Sequence, residues 1–187
     1  MNAREFKCVS ILTDLIENDG LVGVKTSFED EGALFNETVR LKEICNQANT
    51  KLTLKIGGPE AIRDLKDSSI IGVRGIVAPM VESAFGLKKF VQAANTHICP
   101  DSLSSIQLNV NLETINAILN SDDILNSAEA SKLYGVTVGR VDLVSSMGKD
   151  RSYVNSDEVY SSVEKVFAKA KENGMKLCLG GGVSIDS

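Results

Sequence analysis

The sequence predicts an α/β protein built on a parallel sheet. Six short apolar or β-branched segments alternate along the chain with helical segments, and no hairpin turn signal joins any two of the strands. Strands joined by helices form right-handed crossovers and therefore lie parallel. Polar and glycine-rich residues follow the strands at their carboxyl ends, where both barrels and open doubly wound sheets place their sites. The pattern locates a site and leaves barrel and open sheet as alternatives.

The first half of the chain contains three strand segments with helices between them. Apolar residues three or four positions apart predict an amphipathic helix over residues 4–18, which Asn18-Asp19-Gly20 ends. Pro59 is predicted to be the first residue of the helix after the second strand. Glu82 is predicted to cap the helix over residues 82–94. The three strands are predicted at residues 21–25, 51–56 and 72–80.

The second half continues the alternation. Ser156 is predicted to begin a long helix that Asn173-Gly174 ends. The continuous β-branched run Val136-Thr137-Val138 is typical of a strand covered on both faces. Shorter helical segments are expected around residues 115–119 and 122–132. The remaining strands are predicted at residues 105–111, 134–139 and 175–180.

Length and composition bound the class of protein. The chain has 187 residues, which fits one domain over residues 1–187. Its net charge of −5, with basic and acidic residues mixed, gives no basic stripe for nucleic acid or for anionic lipid. No apolar run approaches the length that spans a bilayer, so we expect a cytoplasmic protein. The four scattered cysteines are expected to be buried thiols, at positions Cys8, Cys45, Cys99 and Cys178.

Two carboxylates leave successive strands at corresponding points. Glu113 follows the fourth strand and Asp142 follows the fifth. A hard divalent cation takes oxygen ligands and often only one or two protein carboxylates. The alternative is that one acid sits at a helix N-terminus and the other in a solvated loop.

Further candidate residues lie at the same predicted edge of the sheet. Lys55, beside Gly57 and Gly58, is a candidate for holding an anionic group, or alternatively forms an ion pair with a carboxylate and no metal. Arg140 leaves the fifth strand and is a second candidate for binding a substrate anion. The backbone N–H groups of Gly181 and Gly182 are candidates for cradling a phosphate or carboxylate. The alternative for these glycines is a tight turn that needs positive φ.

Five segments, in their order and spacing, resemble the HpcH/HpaI aldolase and citrate lyase β-subunit family: residues 55–61, 76–83, 111–114, 139–148 and 179–184. The resemblance implies a (β/α)8 TIM barrel of the pyruvate/phosphoenolpyruvate type. It implies a lyase that cleaves or forms carbon–carbon bonds through a metal-bound pyruvate enolate. A small-molecule carboxylate is the expected substrate, namely a pyruvate-, oxaloacetate- or acyl-CoA-like acid.

The resemblance also assigns roles to residues. Glu113 and Asp142 fall on the two metal-ligating carboxylates, which implies Mg²⁺ or Mn²⁺ as cofactor. Lys55 falls where these enzymes usually place an arginine against the substrate carboxylate and enolate oxygen. Asn111 matches a polar position that is often glutamine, and is grouped with Lys55 as a catalytic candidate.

Departures from the family pattern leave a second function open. Phe28 stands at or near the position of the usual proton-relay histidine. Lysine is a point charge that does not replace a bidentate arginine. Glu29 and Glu82 lie in the right layer for a base, but neither is a strong candidate. The alternative function is therefore a non-catalytic barrel relative that retains metal or anion binding.

The number of strands predicts an incomplete, C-terminally shortened barrel. Closure normally takes eight βα units and about 250 residues, whereas the pattern gives six. Two unpaired strand edges would be an aggregation hazard. We therefore expect completion by residues absent from this chain or by another subunit, which predicts a homo-oligomer, unless the sheet is a genuine open one.

Overall fold

The computed structural model describes residues 1–185 and contains one six-stranded sheet with helices around it. The strands are β1 (Val24–Ser27), β2 (Leu52–Lys55), β3 (Gly75–Ala78), β4 (Gln107–Leu112), β5 (Gly135–Gly139) and β6 (Lys176–Gly180). The helices are α1 (Ala3–Asn18), α2 (Phe35–Gln47), α3 (Ile62–Ile71), α4 (Ala84–His97), α5 (Pro100–Leu103), α6 (Ile115–Leu119), α7 (Ser121–Asn126), α8 (Arg140–Ser146) and α9 (Asp157–Glu172). Two 3₁₀ helices span Ala128–Lys132 and Arg151–Asn155.

Each strand pairs in parallel with the next one along the chain, in the order β1-β2-β3-β4-β5-β6. Within residues 1–185, β1 pairs only with β2 and β6 only with β5. The sheet curls into half of a barrel with helices on its outside, which confirms the predicted incomplete α/β barrel. Its carboxyl edge gathers the ends of all six strands because the strands share one direction.

The outer face of the sheet forms the core. Side chains of β2 to β5 that point toward the helices have almost no exposed surface and are aliphatic, and burying each contributes about 1.5–3 kcal/mol. They include Leu52, Leu54, Ile76, Val110, Leu112 and Val138. The inner face is different, because it lines an open concave cavity of about 320 Å³ with residues such as Thr53, Asn109 and Thr137. The prediction that β5 is covered on both faces is therefore wrong for Thr137, which is only half-buried.

Side-chain caps fix several helix starts. The Asn2 side chain and Glu5 form a capping box that begins α1. Ser156 accepts a hydrogen bond from the Val159 N–H and begins α9, as predicted. Asn173 is the C-cap of α9, and Gly174, at φ +71, follows it.

Two predicted helix starts are wrong. The helix after β2 does not begin at Pro59, because residues 57–60 form a turn and α3 begins at Ile62. Glu82 does not cap α4. The Ser83 side chain caps this helix by accepting from the Gly86 N–H, and the Glu82 carboxylate instead accepts from Thr114 Oγ1 at 2.5 Å.

The last strand is the least covered part of the sheet. Leu177 of β6 is 40% exposed, and the outer side of β6 and α9 border an apolar groove of about 550 Å³. Aliphatic and aromatic side chains form most of its lining, including Val154, Val159, Phe167 and Leu179. The helical cover that buries β2 to β5 therefore thins at this end.

The cysteine prediction holds at one position. Cys45 is fully buried, and burial raises the pKa of its thiol. Cys8, Cys99 and Cys178 are exposed free thiols, so the expectation of burial is wrong for them. None of the helices between residues 1 and 185 combines the length and the apolar character that crossing a membrane requires.

Candidate active site

The carboxyl edge of the sheet brings together the polar residues that follow β2, β4 and β5. Lys55 is the last residue of β2, and Asn111 lies near the end of β4 with Glu113 directly after it. Asp142 lies in the first turn of α8, which follows β5 without a loop. Strand register makes these positions neighbours, since Asn111 is opposite Thr137 in β5.

Glu113 is the most buried acid of this group, at 2% exposure. Its Oε1 accepts a hydrogen bond from the Met80 N–H at 3.1 Å, and its Oε2 accepts from Asn111 Nδ2 at 3.0 Å. Lys55 Nζ lies 3.9 Å from Oε1. A buried charge requires such partners, and here they hold the carboxylate in one orientation.

Lys55 is the cation of the site and is itself 6% exposed. Its Nζ donates to Asp30 in an ion pair and also faces Glu113. Burial acts to lower the pKa of Lys55, but the hydrogen bond to Asp30 and the charges of Glu113, Asp30 and Asp142 outweigh it. The pKa of Lys55 is therefore raised, and the side chain remains charged. Because Asp142 contributes to this effect, the three predicted residues share one electrostatic site.

The oxygen donors of the two carboxylates are of the type that a divalent cation binds, and a metal site here stays a prediction. Glu113 is fixed by Asn111 and Met80, and its four lone-pair positions exceed the hydrogen bonds it accepts. Asp142 is half-buried on the adjacent element. Within residues 1–185 no group of three or more His, Cys, Asp or Glu side chains has metal-binding geometry. A cation here would have two protein carboxylates and otherwise water or substrate oxygens, which suits Mg²⁺ or Mn²⁺.

Met80 has a role that the sequence does not indicate. Its φ is +52, in the left-handed region that a residue with a side chain seldom occupies. This conformation accompanies the hydrogen bond from its N–H to Glu113. Backbone strain of this kind persists where surrounding structure enforces it, often at functional sites. The preceding Pro79 does not signal this conformation, because a proline fixes its own φ and restricts the residue before it, here Ala78.

Of the two glycines after β2, Gly57 is already engaged by the chain and Gly58 is not. The Gly57 N–H donates to Asp64 Oδ2 at 2.8 Å, and a Cβ at Gly57 would stand 2.9 Å from Glu29 Cγ. Two acids therefore border the turn that was predicted to bind an anion. Gly58 has no atom within 4 Å of its Cβ position, so it faces open space.

The glycines after β6 form a tight turn. Gly181 and Gly182 have φ values of +77 and +63, and a Cβ at Gly181 would stand 2.6 Å from the Val141 backbone N. Positive φ and close packing account for both glycines. An anion-binding role for them stays a prediction.

Arg140, the first residue of α8, is buried, with 4% exposure. Its Nη1 donates to Asn155 Oδ1 at 2.7 Å and reaches the Val154 carbonyl at 3.5 Å. It also lines the apolar groove beside β6 and α9. The predicted anion-binding role of Arg140 stays a prediction, and these contacts give the guanidinium a structural role.

The loop after β1 supplies an acid that the sequence analysis missed. Asp30, not Glu29, pairs with Lys55. Phe28, at the position expected for a histidine, packs against the hydrophobic core. The only sequence signal for Asp30 is the run Glu29-Asp30-Glu31, which does not show which of the three faces the site.

Comparison with known proteins identifies the relatives of this chain. The family model described as HpcH/HpaI aldolase/citrate lyase matches residues 45–181. No curated protein sequence matches. The HpcH/HpaI aldolase from Desulfitobacterium hafniense DCB-2 is similar in structure, with a TM-score of 0.75 and 19% identity over 92% of this chain and 82% of that one.

Two further solved structures share the fold. The citrate synthase SbnG has a TM-score of 0.74 and 18% identity, over 90% of this chain and 72% of that one. Macrophomate synthase has a TM-score of 0.74 and 16% identity, over 97% of this chain and 69% of that one. At these identities the likeness shows a common fold.

Proposed function

Because this chain belongs to the HpcH/HpaI aldolase/citrate lyase family, a family of carbon–carbon lyases, we propose that it cleaves or forms a carbon–carbon bond through an enolate. The proposed substrate is a pyruvate-, oxaloacetate- or acyl-CoA-like acid. The observation that carries the proposal is the arrangement of Lys55, Glu113 and Asp142 at the carboxyl edge. Two acids that could hold a divalent cation and one buried positive charge supply the electrostatic stabilisation that a developing enolate needs.

Glu113 and Asp142 would hold a Mg²⁺ or Mn²⁺ ion. When bound, the cation supplies a Lewis acid that polarises the keto oxygen of the substrate. Asn111 acts as a positioning residue, since its Nδ2 donates to Glu113 Oε2 and leaves the rest of that carboxylate available. The Met80 N–H fixes the second oxygen of Glu113 in the same way.

Lys55 would hold the carboxylate of the substrate and the oxygen on which enolate charge develops. Its ammonium group has three donors, of which one serves Asp30. Burial at 6% exposure strengthens its electrostatic interactions relative to those in water. A fixed positive charge lowers the energy of the enolate more than that of the neutral ketone, which is the differential binding that catalysis needs.

Remaining parts of the substrate would lie along the same edge. Gly58 is open, and the Gly181-Gly182 turn closes against the start of α8. We include both turns and Arg140 as proposed binding elements for a substrate anion. Gly57 is included through its backbone position alone, because Asp64 accepts its N–H.

One observation favours the non-catalytic alternative. Phe28 stands at or near the position where the family usually has a proton-relay histidine, and it packs against the core. A phenylalanine side chain cannot transfer a proton. A relative of this kind would bind metal or a carboxylate without forming the enolate.

Proton NMR of pyruvate in D₂O separates the two functions. An enolate-forming lyase exchanges the methyl protons of pyruvate for deuterium when Mg²⁺ or Mn²⁺ is present. This exchange stops when EDTA removes the metal. Exchange no faster than in protein-free Mn²⁺ solution would support the non-catalytic relative. Oxalate, a planar dianion shaped like the pyruvate enolate, should bind in either case, and calorimetry of oxalate confirms that the site is intact.

A further inference from the structure

Proton transfer to and from the substrate requires a group that accepts and returns a proton, and the acids around this edge of the sheet differ in where they lie. Glu82 accepts a hydrogen bond from Thr114 Oγ1 at 2.5 Å. Glu29 lies beside Gly57, with its Cγ 2.9 Å from the position of a Cβ there. Glu113 and Asp142 are the proposed cation ligands. Among residues 1–185, Asp30 is the acid other than Glu113 that forms an ion pair with Lys55.

The loop that carries Asp30 is folded back on the end of β1. The Asp30 N–H donates to Ser27 Oγ at 3.1 Å, and the Ala33 N–H donates to the Ser27 carbonyl at 3.2 Å. Glu31 Oε2 accepts from Thr26 Oγ1 at 2.9 Å and from the Ser27 N–H at 3.2 Å. These bonds turn Glu31 toward the strand and hold Asp30 in place over the carboxyl edge.

The Asp30 carboxylate lies between the buried Lys55 ammonium group and solvent. It accepts from Lys55 Nζ, whose side chain is 7% exposed, while the Asp30 side chain is 59% exposed. Lys55 orients the carboxylate from one side and leaves its other side accessible to a substrate. A general acid–base group needs this combination of a fixed position and access to the reacting atom.

We propose that Asp30 is the proton-transfer residue of this site. It would do the work of the proton-relay histidine that enzymes of this family usually carry after an early strand. The inference rests on the proposed lyase function. Asp30 is a catalytic residue in this scheme, and Lys55 remains a cation throughout.

The proposed step takes up one proton and returns it. In cleavage, the Asp30 carboxylate accepts the proton of the substrate hydroxyl, and the adjacent carbon–carbon bond breaks. The hydroxyl-bearing carbon leaves as a carbonyl product, and the electron pair of the broken bond becomes the enolate. The carboxylic acid of Asp30 then returns the proton to the enolate carbon, which gives pyruvate and restores the carboxylate.

Decarboxylation of oxaloacetate provides an internal control. Its carbon–carbon bond breaks with release of CO₂, and the electron pair again becomes the enolate. No enzyme group has to accept a proton before that bond breaks, and water can protonate the released enol. Exchange of the pyruvate methyl protons, in contrast, begins with proton removal.

The test compares Asp30→Asn with wild type in both reactions, with Mn²⁺ present. Asparagine keeps the size of the side chain and an acceptor oxygen for Lys55 but cannot carry the proton. We expect methyl exchange to fall by about 100-fold or more, the scale of general acid–base catalysis. Oxaloacetate decarboxylation should stay within about threefold of wild type, since proton removal contributes nothing to it. Glu29→Gln on the same loop tests the other candidate base, and the matched control is Asp19→Asn, an exposed acid before β1 whose replacement should leave both rates unchanged.

Three results from the Asp30→Asn and Glu29→Gln variants would contradict the proposal for Asp30 alone. Methyl exchange that survives in Asp30→Asn shows that another group carries the proton. Equal loss of both reactions, together with weaker oxalate binding, shows that Asp30 only positions Lys55. Loss of exchange in Glu29→Gln alone assigns the role to Glu29. A wild-type protein that binds oxalate but catalyses neither reaction contradicts the proposed function itself, and the Asp30 inference falls with it.

Discussion

Gly139 lies so close to Glu113 that a Cβ at position 139 would stand 2.6 Å from Glu113 Oε2 and 2.8 Å from Glu113 Cβ. The φ of Gly139 is −92, which any residue adopts. The requirement for glycine is therefore the approach of Glu113, and the break at the end of β5 is part of the site.

Gly139→Ala should displace the Glu113 carboxylate. Rotating the side chain away does not remove the clash, because the Glu113 Cβ is also within 2.8 Å. We expect Mn²⁺ affinity, measured by calorimetry, to fall at least tenfold while circular dichroism shows the helices intact. The matched control is Gly180→Ala on the neighbouring strand, where the nearest atom to a new Cβ is Thr137 Cγ2 at 3.5 Å. Equal affinity in the two variants would contradict the assignment of Glu113.

Lys55→Met tests the proposed anion clamp. Removing one partner of a desolvated charge pair costs about 2–4 kcal/mol, so oxalate affinity should fall by roughly 30- to 1000-fold. Titration calorimetry measures this, with Lys51→Met as the control because Lys51 is exposed and precedes β2. Oxalate binding that is unaltered in Lys55→Met would refute the clamp.

The two open edges of the sheet predict self-association. The strands β1 and β6 each pair on one side only within the described residues, and their outward backbone groups require partners or water. We propose that the chain forms a homo-oligomer through one or both of these edges. Gel filtration with light scattering should show a species larger than 20.1 kDa, and Leu177→Lys on β6 should shift it toward monomer. A monodisperse wild-type monomer at all concentrations would contradict the prediction.

The first helix predicts a specific pH dependence. The hydrogen bond from the Asn2 backbone N–H holds the pKa of Glu5 below its ordinary value. Partial desolvation opposes this lowering, and the charge of Arg40 adds to it. A lowered folded-state pKa means that ionised Glu5 stabilises the fold above its unfolded-state pKa, and that this stability is lost as pH falls through the folded-state pKa. The thermal stabilities of wild type and Glu5→Gln should therefore differ near pH 6, and this difference should shrink as the pH falls below the ordinary pKa of Glu5. A constant difference across that range would contradict the capping role of Glu5.

Most of the architecture follows from the sequence because alternation and periodicity are local signals. The six strands, their parallel direction and the incomplete barrel are predicted and observed. Segment boundaries are less well predicted. The third strand is shorter than the apolar run that contains it, since Gly75–Ala78 is the part that pairs with β2 and β4. Pairing depends on neighbours that no local pattern specifies.

The candidate site is likewise predictable from the sequence only in part. Lys55, Asn111 and Glu113 come together because each lies at or just past a strand end, which the sequence can indicate. Asp30 and Met80 lie on loops whose conformations depend on contacts with other strands. Neither the ion pair of Asp30 nor the positive φ of Met80 has a periodic signal in the sequence.

The central claim is that Glu113 and Asp142 jointly hold one divalent cation, and Mn²⁺ calorimetry of four proteins tests it most directly. These are wild type, Glu113→Gln, Asp142→Asn and the double variant. If both side chains bind the same ion, each single change should lower affinity at least tenfold, because the other ligands are mainly water and substrate. The double variant should then be nearly as weak as either single one, since residues that act as a unit are not additive. Wild-type Mn²⁺ affinity in both single variants would contradict the claim.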